Sequence, residues 1–182
     1  RGLGDVYKRQ LLVVSLAPAL GMLVGAPFAR RINERFDKRP SVVLGTAWYT
    51  IFQLSPPILR LLGWFPENGD PLLMPIISAM YLIGGAGVVQ ALVTAGSMMA
   101  DIADEHELQS GRRQEGIFFG ALSFSGKGAS GIGNLLGGVA LDLIAFPPAA
   151  VPGAVPAEIL QRLGLTYGPL VMGFAIVSVW CY

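Results

Sequence analysis

Between Asp70 and Asp101 the chain carries neither an acid nor a base. A stretch that long and that apolar has few ways to fold. At about 1.5 Å per residue, a helix of roughly 20 such residues crosses the ~30 Å hydrocarbon core of a bilayer. Lipid offers no partner to backbone N–H and C=O groups, so a helix, which pairs them internally, is the form such a segment takes there. Residues 72–100 are therefore read as a membrane span, and they set the frame for the segments on either side. The composition agrees: 53% of the residues are hydrophobic and only 14% charged, against about 25% charged in an average soluble domain.

Four further apolar stretches complete the pattern, at about 11–29, 41–62, 117–146 and 168–182, the last short of a full span. The fold class is all-α, a polytopic transmembrane helix bundle. Pro18, Pro27, Pro56 and Pro57 fall inside these stretches, which membrane helices tolerate when neighbours satisfy the freed backbone groups. The 24 glycines suit helices packed closely in lipid. A segment with Ala157, Glu158, Gln161 and Arg162 is amphipathic enough to lie on the membrane surface.

The first ten residues, RGLGDVYKRQ, meet the apolar run at Leu11 abruptly. They resemble translated sequencing-adaptor read-through and are expected to be a non-native leader, leaving 11–182 as a partial C-terminal transmembrane domain cut from a longer chain.

Two charged segments flank these spans. Arg30, Arg31, Arg35, Lys38 and Arg39 form the densest basic run, and Arg112 and Arg113 stand in a second segment among Asp101, Asp104, Glu105, Glu107 and Glu115. Short loops rich in Lys and Arg mark the cytoplasmic side. The segments assigned outside carry Arg162, with Arg60 at a span end, so the bias sets the orientation. The second segment admits two readings, an inner-face gate network shared with the basic run, or a solvated loop whose exposed ion pairs are each worth about 0–1 kcal/mol.

From Gly116 to Ala140 the only ionisable side chain is Lys127. Eleven helical residues place it roughly 16 Å beyond the charged segment, near the bilayer midplane. A lysine there costs about 2.5–3.5 kcal/mol on insertion scales, and such residues usually face a bundle interior or an aqueous cavity. Ser123, Lys127, Ser130 or Gly131, Asn134 and Gly138 recur at steps of three and four, which puts them on one small, polar helix face. That face is expected to look into a cavity, with Lys127, Ser123 and Asn134 as its chemistry. Ser123 or Ser125 beside Lys127 could also mimic a serine–lysine nucleophile, the one enzyme reading the residues allow.

Other classes are excluded. A formal charge of +1 argues against nucleic acid, and Cys181 and His106, the single cysteine and histidine, make neither a disulfide nor a metal cluster.

The pattern Ala100-Asp101-x-x-Asp104-x-x-Glu107-x-x-x-Gly111-x-Arg113-x-Glu115-Gly116, followed by Phe124-x-x-Lys127, resembles the loop and eleventh helix of the glycoside–pentoside–hexuronide:cation symporters. These are a melibiose carrier-like branch of the major facilitator superfamily. Glu34-Arg35-Phe36-Asp37-Lys38-Arg39 resembles the basic loop between that family's helices eight and nine, with Asp37 where a glycine is usual, and Glu105 stands where the second loop usually has tyrosine.

The resemblance implies about helices eight to twelve of a twelve-helix fold in a bacterial inner membrane. It implies a cation-coupled symporter, for a sugar or glycoside, working by alternating access between two halves. Lys127 and Ser123 would face substrate, and Asp101, Asp104, Arg113 and Glu115 would help close the inner side. No cofactor is implied. The coupling ion, Na⁺ or H⁺, would bind mainly in an N-terminal half not present in this sequence, and that half, the bilayer and a small solute would be the partners. A lysolipid or other amphiphile is the alternative cargo within the branch, and a membrane enzyme or scaffold the alternative class.

Overall fold

In a computed structural model, which describes residues 3–148, 150 and 154–180, the chain forms five α-helices and, among the described residues, no strands. They are α1 (Leu3–Arg35), α2 (Lys38–Leu61), α3 (Leu73–Ser110), α4 (Glu115–Leu143) and α5 (Ala157–Trp180). The all-α expectation is met. Four helices, α1, α2, α3 and α5, are long and apolar enough to cross a membrane. The 29-residue α4 is also long enough, but Lys127, Asn134 and its glycines and serines interrupt its leucines and isoleucines.

The helices run further than the apolar stretches that seed them. α1 extends back through residues 3–10, the stretch read as a leader, and forward through Arg30, Arg31 and Arg35, while Lys38 and Arg39 already belong to the first turn of α2. The supposed basic loop is thus two helix ends joined by Phe36 and Asp37. Arg, Lys and Glu are good helix formers, and Pro40 falls in the first turn of α2, where the N–H it lacks has no helical acceptor.

The acidic loop is corrected in the same way. Asp101, Asp104, Glu105 and Glu107 all lie on α3, which continues to Ser110. Nothing in that run breaks a helix until Gly111, which takes the left-handed conformation at φ 66° that ends helices at glycine. Only 111–114 is irregular, and Glu115 opens α4. The segment 157–163 is not a separate surface helix either: it is the start of α5, which continues through Pro169.

The chain divides into two compact units, residues 1–95 with 168–182, and residues 96–167. In the first, α1, α2 and α3 meet through glycines. A Cβ added at Gly87 would stand 2.7 Å from Gly45 O and 2.7 Å from Tyr49 N, and one at Gly45 would stand 2.9 Å from Gly87 O. A Cβ at Gly25 would meet Ala86 Cα at 2.7 Å. Backbones this close are what small residues permit. Trp48 donates its Nε1–H to Ile83 O at 2.9 Å across the α2–α3 contact, and its ring lies 5.2 Å from that of Phe52.

The buried hydrophobic residues of this unit are few and mostly small: Ala17, Ala29, Val42, Leu54 and Val89. Leu11, Leu23, Ile51 and Leu92 lie well exposed instead. Such exposure along helices of spanning length is what a lipid-facing surface requires, since a soluble protein rarely leaves large contiguous apolar patches uncovered.

Candidate functional site

In the second unit, α4 carries Ser123, Lys127 and Asn134 at i, i+4 and i+11, so all three share a face about 16 Å long. None is buried, and α4 has no buried residue along its length. A Cβ added at Gly120, Gly126, Gly131 or Gly138 would meet nothing within 4 Å. The small-residue face is therefore open among the described residues.

At the head of α4 the acids and arginines gather. Arg113 donates through Nε and Nη2 to Glu115 Oε1 at 3.0 and 2.6 Å. That bonded carboxylate, with Glu107 and Asp104 further off, raises the Arg113 guanidinium above its ordinary value. The pair is solvent-exposed, so its contribution to stability is that of a surface ion pair, and its role is to set the direction of the short link. The Arg112 N–H donates to Ser110 Oγ at 3.3 Å, and that hydroxyl donates to His106 O at 2.7 Å, winding the link onto the end of α3.

His106, the single histidine, ties the end of α3 to the start of α4. Its Nε2 lies 3.1 Å from Gln114 Oε1, and its ring meets Phe118 edge-on at 5.4 Å. The spacing to an amide and an aromatic across a glycine turn was the available signal.

The basic cluster lies in the first unit. Arg30 Nε donates to Glu34 Oε1 at 2.7 Å, one turn on, and the Arg31 guanidinium stands 5.9 Å over the Phe28 ring. Arg35, Lys38 and Arg39 bracket the Phe36–Asp37 link. The two clusters belong to different units.

Sequence reasoning missed a polar cluster inside the first unit. Gln90 and Thr94 are buried, at 2% and 0% exposure. Gln90 Nε2 donates to Asn33 Oδ1 at 2.8 Å and to Thr94 Oγ1 at 3.1 Å, and Thr94 Oγ1 lies 2.9 Å from Asn33 Oδ1. The signal was a glutamine and a threonine four apart in a span otherwise free of strong hydrogen-bonding groups over several turns.

A family model described as MFS/sugar transport protein matches residues 7–182. The chain belongs to that family. Among curated proteins, this MFS chain is 26% identical over 159 residues to the uncharacterized symporter YjmB of Bacillus subtilis, covering 86% of this chain and 32% of that protein. It is 29% identical over 122 residues to the uncharacterized symporter sll1374 of Synechocystis sp., covering 62% of this chain and 22% of that protein. The MFS chain thus spans about a third and about a fifth of the length of these relatives. No solved structure matches it. Membership in a transport family agrees with the resemblance carried by the acidic motif and Lys127, supports a multi-pass membrane protein, and removes the serine–lysine enzyme reading.

Proposed function

We propose that this MFS chain is the C-terminal part of a cation-coupled symporter of the bacterial inner membrane that carries a sugar or glycoside by alternating access. The observation that carries this reading is the α4 face with Lys127 at its centre, open along its glycines and serines. A charge near the bilayer midplane is retained where it meets solute, ion or a paired charge. Lys127 would donate hydrogen bonds to solute hydroxyls, Ser123 would accept or donate one turn away, and Asn134 would extend the polar track. The coupling ion, Na⁺ or H⁺, would be held mainly by the remaining half of the carrier. Asp101, Asp104, Glu107, Arg112, Arg113 and Glu115 would close the inner side, with Arg30, Arg31, Arg35, Lys38 and Arg39 holding the cytoplasmic face.

The test is uptake by a full-length carrier that contains this sequence. Lys127→Ala is expected to abolish cation-driven accumulation of labelled sugars while the protein still reaches the membrane in parental amount. Normal accumulation by that variant removes Lys127 from the mechanism. Uptake of a labelled lysolipid, with none of any sugar tried, replaces the cargo and keeps the mechanism.

A further inference from the structure

The Asn33–Gln90–Thr94 cluster cannot satisfy itself. Gln90 Nε2 uses both its protons, on Asn33 Oδ1 and on Thr94 Oγ1, and Thr94 Oγ1 has a single proton to give, either to Asn33 Oδ1 or to Gln90 O at 2.7 Å. Gln90 Oε1 is buried and accepts no hydrogen bond. Turning the amides over does not help. With both reversed, Asn33 Nδ2 donates to Gln90 Oε1, and the Gln90 amide nitrogen becomes the buried atom that lacks a partner. Ser41, on α2 one turn before the Gly45 that abuts Gln90 Cγ, is 1% exposed, and its Oγ also has no partner. Two such buried polar atoms on the facing helices α2 and α3 each cost about 1–3 kcal/mol if left alone.

We propose that this junction is an internal water site, in which one ordered water bonds Gln90 and clasps α1, α2 and α3 into a single rigid element. Water suits it better than a cation. The open position needs a donor in one amide arrangement and an acceptor in the other, and water supplies both where a cation could meet only the first. Every donor atom here is neutral, so no charge compensates a bound ion. A water needs two to four polar partners, which the buried Gln90 amide and the Thr94 and Ser41 hydroxyls would supply. Gln90 also borders a cleft of about 340 Å³ between the same three helices, lined otherwise by glycines and apolar side chains, through which a water can reach it. The inference concerns Asn33, Ser41, Gln90 and Thr94 alone and does not depend on the transport reading of Lys127.

The experiment uses the detergent-solubilised full chain and its thermal midpoint. Asn33→Ala, Thr94→Val and Gln90→Met should each lower the midpoint by about 2–4 °C, and Asn33→Ala with Gln90→Met together should lower it by less than the sum. Thr94→Ser, which keeps the hydroxyl, should restore most of the loss. Radiolytic footprinting in ¹⁸O water should give local oxidation around Gln90 whose isotope exchanges slowly in the parent and is absent in Gln90→Met. A higher midpoint for Gln90→Met would mean that the amide is simply unsatisfied and the site empty, which overturns the proposal. A midpoint that rises with Na⁺ but not with choline, and loses that dependence in Gln90→Met, overturns it in favour of a cation.

Discussion

Gly87→Ala is the most searching test of the packing. The added methyl would lie 2.7 Å from Gly45 O and from Tyr49 N, and 2.9 Å from Trp48 Cδ1. Two of those three atoms are backbone and cannot swing aside. Ordinary carbon contacts need roughly 3.5 Å, so α2 and α3 must part by about 0.8 Å. A shift of that size stretches the Trp48 Nε1 to Ile83 O bond, now 2.9 Å, past useful length.

Overpacking costs about 1–3 kcal/mol and the lost hydrogen bond about 0.5–1.5 kcal/mol. Alanine's helix propensity returns about 1 kcal/mol. The net is a loss of about 0.5–3.5 kcal/mol, or a fall of roughly 1–14 °C in the midpoint for a chain of this length. The assay is thermal unfolding in detergent followed by far-UV circular dichroism, with tryptophan emission reporting the surroundings of Trp48. Gly137→Ala, where an added Cβ would meet nothing within 4 Å, is the control and should leave the midpoint unchanged or raise it. Equal midpoints for Gly87→Ala and Gly137→Ala would refute the close α2–α3 approach.

Three further outcomes can be checked. His106→Ala should loosen the turn between α3 and α4, seen as faster tryptic cleavage at Arg112 and Arg113, because the Gln114 contact and the Phe118 edge are both lost; unchanged cleavage would deny His106 that role. Arg113→Gln should leave the thermal midpoint nearly unchanged, as an exposed ion pair allows, yet reduce uptake in a full-length carrier if the inner charges form a gate. Gly131→Leu should leave the isolated chain as stable as the parent, since its surroundings are open, but abolish uptake in the full-length carrier, where that face is proposed to meet solute or the other half; retained uptake would place the stripe elsewhere.

Much of the architecture is legible because it follows from solvation of single segments. An uncharged stretch from 71 to 100 must pair its own backbone, and Arg30 to Arg39 or Asp101 to Glu115 must reach water, whatever the neighbours are. Helix ends were less legible. The charged runs looked like loops because charge was read as marking a water-facing link between spans, whereas arginine, glutamate and aspartate continue a helix readily until Gly111 provides a left-handed exit. α5 absorbed its supposed surface segment for the same reason, since nothing between Ala157 and Pro169 ends a helix.

The sequence alone determined that Lys127, Ser123 and Asn134 share one face, because helical spacing is a local property. Tertiary structure alone decided that Asn33 meets Gln90 and Thr94, and that Gly45 faces Gly87. Those pairs lie on different helices, and their meeting depends on how three cylinders cross, which no periodicity within one helix encodes.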